Sequence, residues 1–206
     1  MKKLRILLSA LPICCLLPVG AGAADTLSQM QLTRQCIAHF QQERPPEGDN
    51  EWRIDEYVVS AWSLNIRRDE FCTLAVQMLR AADPDKLPQT ERAFPDCEDA
   101  DVMRIAALGI VNGYEDGTFQ PDRDISREEA AVILHRLYRV MYGEITTAPV
   151  RYDDDSSIGL WAKESVYAMW QAGVMQGEGQ NQFHPENGYT CEQAIATMLR
   201  MTMIEV

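Results

Sequence analysis

Two arginines carry the clearest chemical potential in this chain, because each stands at the mouth of an expected helix. Ser126 and Glu129 form the S-x-x-E pattern, in which each side chain satisfies the other residue's backbone N–H, so a helix is expected with Arg127 as its first residue. A helix start presents unpaired N–H groups at the positive end of the macrodipole. A guanidinium there adds a planar fork that can hold a carboxylate with two parallel hydrogen bonds. Ile66-Arg-Arg-Asp-Glu-Phe repeats Ile125-Ser-Arg-Glu-Glu-Ala, with Arg68 in the place of Arg127. The chemistry on offer is recognition of an acid. A plainer account stays open beside it: surface arginines paired with a neighbouring Asp or Glu, which contribute little.

The other reactive residue types form no recognisable catalytic pattern. His39, His135 and His184 are scattered and none has a nucleophile at a telling spacing. Cys36 and His39 lie one helical turn apart, but no second pair of ligands accompanies them, so a structural role is expected. Asp153, Asp154 and Asp155 are consecutive, and three adjacent loop residues rarely converge on one ion; a solvated helix entrance is the better reading. The stretch Asn112 to Arg123 has the rhythm of a calcium loop, with Gly117 at the sixth position. It fails at the third, Tyr114, and at the twelfth, Arg123, where a bidentate Glu is required. There is no H-E-x-x-H and no phosphate-cradling loop. No enzyme, cofactor or metal is expected.

The elements that must position the arginines recur. After Arg127 come Ala130, Ile133, Leu134 and Leu137, a helical stripe expected to run to about Tyr142 before Gly143. Phe71, Leu74, Ala75 and Met78 repeat it after Arg68, and Ala194, Thr197, Met198 and Met201 repeat it after Cys191. Before Arg127, Gly109, Gly113, Gly117 and Pro121 punctuate a tight loop. Glycine at Gly109 and Gly113 would let a ligand or a neighbouring helix come close to the backbone. The same loop returns 64 residues later, with Gly109 mapping to Gly173, Phe119 to Phe183, Pro121 to Pro185 and Ser126 to Thr190. A fixed period marks stacked units that cannot bury a core alone. The first unit lacks the loop, and the third has Cys191 where the second has Arg127. Upstream, Leu27–Gln42 and Trp52–Ser63 read as two further helices.

Phe94-x-Asp96, the G-Y-x-D-G-T-F-x-P run from Gly113 to Pro121, and I-S-R-E-E-A from Ile125 resemble the S-layer homology domain family. The resemblance covers roughly Asp55 to Arg200 as three tandem repeats, the first degenerate. It implies a mainly α fold, a pseudo-threefold helical spindle around a central three-helix bundle. It also implies a secreted protein that binds acidic, pyruvylated secondary cell-wall polysaccharide non-covalently at the cell surface. On that resemblance Arg68 and Arg127 contact the acidic ketal, Cys191 forfeits the role, and Asp96, Asp154 and Trp161 match positions near the grooves. Tyr114 and Trp161 are aromatic faces on which a sugar could stack, or core residues. The alternative is a structural or protein-interaction module that keeps the fold and has lost the glycan; the missing first loop and Cys191 favour it.

Composition bounds these readings. Lys2, Lys3 and Arg5, an apolar stretch from Ile6 to Val19 and Ala21-Gly22-Ala23 read as a secretory signal peptide over residues 1–23. The expected organisation is then 24–88 for an N-terminal helix and the first repeat, 89–145 for the second repeat and 146–206 for the third. No later apolar run is long enough to span a bilayer. Removing Lys2, Lys3 and Arg5 from the 19 basic residues leaves 16 against 31 acidic ones, a formal charge of −15. Such a surface excludes a broad nucleic-acid interface. Cys36, Cys72, Cys97 and Cys191 remain, an even count that suggests disulfides in an exported chain and allows three pairings, or four buried thiols. The expected pairs are Cys36–Cys72 and Cys97–Cys191, the latter joining positions where the family motif carries Trp and Arg.

Overall fold

The structure, a computed structural model, describes residues 64–89, 92–150, 152–202 and 204. The expected signal segment, the two upstream helices, Cys36 and His39 lie outside the described residues. Five α-helices and no strands occur among the described residues, a mainly α fold: α1 (Arg68–Ala82), α2 (Ala100–Ala107), α3 (Arg127–Tyr142), α4 (Lys163–Gln171) and α5 (Cys191–Thr202).

The long helices begin where local capping chemistry places them. Ser126 Oγ accepts from the Glu129 N–H at 3.3 Å, and Glu129 Oε2 accepts from the Ser126 N–H at 2.9 Å. Thr190 and Gln193 repeat the exchange at 3.2 Å in each direction. At α1 one half survives: Glu70 accepts from the Arg67 N–H at 2.9 Å, while arginine has no acceptor with which to answer. Gly143 closes α3, with φ of +91° that a residue bearing a Cβ rarely adopts.

The apolar stripes bury as their period requires. Phe71, Leu74 and Met78 of α1, Ala130, Ile133 and Leu137 of α3, and Ala194, Met198 and Met201 of α5 are all buried. Truncating a leucine or isoleucine so placed costs about 2–5 kcal/mol. Helix α1 meets both α3 and α5, and each short helix packs on the long helix of the preceding unit, α2 on α1 and α4 on α3. Packing therefore crosses the sequence boundaries near 88 and 145.

The strand-like residues just ahead of the three long helices exchange backbone hydrogen bonds in a closed cycle. Ile66 N–H donates to the Tyr189 carbonyl at 2.8 Å, Tyr189 N–H to that of Ile125 at 2.9 Å, and Ile125 N–H to that of Ile66 at 3.2 Å. At the other end Lys86 Nζ donates to the Val140 and Met141 carbonyls at 2.9 and 3.0 Å, placing a cation on the negative end of α3. Tyr142 Oη of α3 donates in turn to the Met201 carbonyl of α5 at 2.8 Å.

The expected disulfides are not formed: Cys72 and Cys97 are buried free thiols. Cys72 lies in α1 near Cys97 and Asp99, its expected partner Cys36 is outside the described residues, and Cys97 forms no disulfide with Cys191 at the head of α5. Burial pushes both thiols up and keeps them protonated.

Candidate functional site

Helices α1 and α3 each begin against the glycine loop of the following unit. The Arg68 N–H donates to the Arg123 carbonyl at 3.0 Å and the Asp69 N–H to that of Pro121 at 3.2 Å. The Arg127 N–H donates to the Asn187 carbonyl at 2.9 Å and the Glu128 N–H to that of Pro185 at 3.1 Å. The amides that a helix start could offer to an anion are thus taken by the protein's own loops.

The guanidiniums follow the same route. Arg68 Nε donates to the Phe119 carbonyl at 3.0 Å and Nη2 to that of Asn112 at 3.1 Å. Arg127 Nε donates to the Phe183 carbonyl at 2.8 Å and Nη2 to that of Gln176 at 3.0 Å. Both side chains are interior, with the residues 6% and 3% exposed, so neither is the solvated surface arginine of the plainer account. Aromatic faces flank them: Arg68 Cζ lies 4.6 Å from the Phe119 ring centre and 4.8 Å from that of Tyr114, and Arg127 Cζ lies 4.9 Å from that of Phe183.

The two niches differ at the third edge of the fork. Arg127 Nη1 lies 3.2 Å from Glu178 Oε1. Glu178 also accepts from Asn187 Nδ2 at 3.2 Å and from Gln193 Nε2. Arg68 forms no ion pair with a carboxylate among the described residues. Tyr114 stands where the third unit has Glu178, and its hydroxyl accepts from Arg123 Nε at 2.7 Å. Arg123 in turn pairs with Glu129.

The remaining expected site residues divide. Asp96 accepts from the Phe119 and Gln120 N–H groups, both at 2.8 Å, and Asp154 from those of Phe183 and His184 at 2.8 and 2.7 Å. These aspartates hold the loops that carry the carbonyls bound by the arginines. The Phe119 N–H is the main cause that lowers the pKa of Asp96. Gly113 is needed for a close approach within its own unit, since a Cβ would lie 2.7 Å from the Thr118 carbonyl oxygen and 2.9 Å from the Phe94 ring. Gly109 is needed for its φ of +70° instead, with open space where a Cβ would go. Trp161 is 60% exposed beside the first turn of α3, where the Gly159 N–H donates to Glu128 at 2.9 Å. Its solvent position suits a stacking face, whereas Tyr114 is half-buried against Arg68 and Arg123.

The sequence reading missed Glu178, Asn187, Gln193 and the Tyr152 hydroxyl. The offset of 64 residues carried a signal for the first three, because it aligns Tyr114, Arg123 and Glu129 with Glu178, Asn187 and Gln193. Tyr152 Oη is buried without a hydrogen-bond partner, and burial pushes its pKa up to about 12, with the Arg127 charge acting in the opposite direction. Among the described residues no group of three His, Cys, Asp or Glu side chains could hold a metal ion. No helix of the described residues is long and apolar enough to cross a membrane.

The interlock of loop and helix start recurs at the residues that a family model recognises: the model for the S-layer homology domain matches residues 97–131 and 151–190. The chain is an S-layer homology domain protein. The S-layer homology matches stop short of α1, yet Arg68 makes the same bonds as Arg127. Cell surface glycoprotein 1 of Acetivibrio thermocellus is 29% identical over 147 residues, 66% of this chain and 6% of its own length. S-layer protein EA1 of Bacillus anthracis is 29% identical over 113 residues, 52% of this chain and 12% of its own. A cellulosome-anchoring protein of Acetivibrio thermocellus is 22% identical over 141 residues, 66% of this chain and 32% of its own. The chain spans less than a third of the length of each of these relatives.

Proposed function

We propose that this chain is a surface-attachment module and not an enzyme, and that it holds an acidic, pyruvylated cell-wall polysaccharide non-covalently outside the cell. The observation that carries the reading is the Arg68 niche. A buried guanidinium, oriented by two loop carbonyls and two aromatic rings, is left without a carboxylate partner among the described residues. A preorganised fork lacking a counter-ion suits an acidic ligand, because little ordering cost remains at binding. The names of the relatives, a cell-surface glycoprotein, an S-layer protein and a cellulosome-anchoring protein, support attachment at the surface. Trp161, exposed beside α3, supplies a face on which a sugar ring can stack.

A second reading, an interaction module that keeps the fold without the glycan, is favoured by one feature: Arg127 already has a carboxylate of its own. Calorimetric titration separates the two. A pyruvylated disaccharide and its depyruvylated twin are titrated into wild type, Arg68→Ala and Arg68→Lys, each checked for folding by near-UV circular dichroism. The expected result is binding of the pyruvylated sugar alone, weakened by about 1.5–3 kcal/mol in Arg68→Ala, as for a charge-assisted hydrogen bond. Lysine should restore part of it, since an ammonium cannot present two parallel donors. Binding untouched by both changes would turn down the niche. No wild-type binding of either sugar would favour the interaction module.

A further inference from the structure

We propose that Glu178 is a tethered substitute for an acidic ligand: it closes the Arg127 niche, which becomes a second site for a carboxylate-bearing sugar once Glu178 is withdrawn or removed. The inference rests on the acid-binding reading of the Arg68 niche and adds that the two niches are in different states.

The Glu178 carboxylate already receives what a bound acid would be given. One oxygen meets Arg127 Nη1 at 3.2 Å and Gln193 Nε2, and the other meets Asn187 Nδ2 at 3.2 Å. These donors are one guanidinium edge and two neutral amides, a set that binds a carboxylate and offers it no competing negative charge. In the Arg68 niche the matching residues are Tyr114, Arg123 and Glu129, and there the negative charge of Glu129 is taken up by Arg123. The exchange of all three residues together supplies Arg127 with a carboxylate of its own and leaves Arg68 with none among the described residues, because Glu129 is held by Arg123.

A second observation points to a ligand independently. Tyr152 is 7% exposed, and its hydroxyl finds no partner. Its ring lies 5.5 Å from that of Phe183, the ring that carries Arg127, and it lines the backbone of Gly177 next to Glu178. The equivalent residue in the open niche is Phe94, which has no hydroxyl to satisfy. A buried donor without an acceptor is a standing cost that an oxygen-rich ligand would relieve. Withdrawal of Glu178 needs only its side chain to swing toward solvent, to which it is already 25% exposed.

The test uses the full chain labelled with 15N, following the side-chain Nε–Hε signals of Arg68 and Arg127 as pyruvate, a small carboxylate probe, is added. In wild type the Arg68 signal should shift and that of Arg127 should stay. In Glu178→Ala and in Glu178→Gln, which keeps the shape and removes the charge, the Arg127 signal should also shift, with at least tenfold tighter apparent binding than in wild type. Calorimetry with a pyruvylated disaccharide should then show the stoichiometry rising from one to two. An Arg127 signal that moves in wild type as readily as that of Arg68 would overturn the proposal. So would one that stays still in both variants. Movement of Arg127 in the variants with Arg68 silent throughout would uphold closure by Glu178 and remove the Arg68 reading instead, so the two failures are distinguishable.

Discussion

Arg68 and Arg127 grip their loops with the same set of bonds and face different chemistry. In each niche two helix-start amides and two guanidinium nitrogens go to loop carbonyls, at distances that agree within about 0.2 Å. In each niche an aspartate, Asp96 or Asp154, holds the loop from behind through a pair of N–H groups. What varies is the occupant of the last edge, Tyr114 in one and Glu178 in the other. The lesson is that the arginine serves the scaffold with Nε and Nη2, so the residue beside Nη1 decides whether that edge meets a carboxylate without altering the grip on the loop.

The comparison breaks most visibly in stability. Arg127→Ala removes two carbonyl bonds and strands the Glu178 carboxylate, and should cost about 3 kcal/mol, the lower end for a broken buried pair because Glu178 is partly exposed. Arg68→Ala removes the carbonyl bonds alone and should cost about 2 kcal/mol. Urea unfolding measures both, and equal losses would mean that Glu178 is not coupled to Arg127. The glycine loops should behave alike in the two units. Gly113→Ala and Gly177→Ala each drive a Cβ toward a carbonyl oxygen, to 2.7 and 2.6 Å, and each should cost about 1–3 kcal/mol. Thermal melts of the pair that differ widely would show that the loops are not equivalent supports.

Affinity sharpens the contrast further. Tyr114→Glu places a carboxylate where the third unit has one, and should lower affinity for the pyruvylated disaccharide roughly tenfold, about 1.4 kcal/mol. An unchanged calorimetric constant would show that the residue at this position does not gate the arginine.

The smallest effect is one of pH and compares the two helix pairs. His135 of α3 is buried with Nδ1 3.1 Å from Ser165 Oγ of α4, and burial lowers its pKa below the ordinary 6.5. The unfolded chain takes up the proton near pH 6.5 and the folded chain only at lower pH, so this contribution to stability is complete above about pH 6.5 and is lost as pH falls toward the folded value. The matching position in α1 is Val76, which does not titrate. His135→Val should therefore flatten the loss of stability between roughly pH 7 and 5, read as urea midpoints. A slope unchanged by the substitution would show that His135 does not carry the acid sensitivity of this window, since Asp96, lowered from 3.8, loses its contribution only at more acid pH.

Much of this architecture was written locally. The helix starts at Arg68, Arg127 and Cys191, the capping exchanges, the closure at Gly143 and the three buried stripes all follow from interactions within about four residues of one another, the span over which helical hydrogen bonding and side-chain period operate. The glycine punctuation was equally legible, although its reasons were not. Gly113 makes room within its own loop, and Gly109 supplies a backbone angle. The cysteines show the limit from the other side: an even count says nothing of which way each thiol faces, and Cys72 and Cys97 remain thiols under α1 and α2.

Residue types and local spacing by themselves determined the mainly helical fold, the positions of the two arginines and the family to which the chain belongs. They did not determine where the arginines point. The carbonyls that bind Arg127 lie 56 and 49 residues further along, and those that bind Arg68 lie 51 and 44 residues further along. Hydrogen bonds of that reach depend on how the units close against one another, which local spacing cannot encode. The same closure brought Glu178 to Arg127 and left Arg68 without a carboxylate among the described residues. The repeat offset showed Tyr114 exchanged for Glu178, but only tertiary structure decided that this position stands beside the arginine, because a charge is answered by whichever group the folded backbone carries within reach.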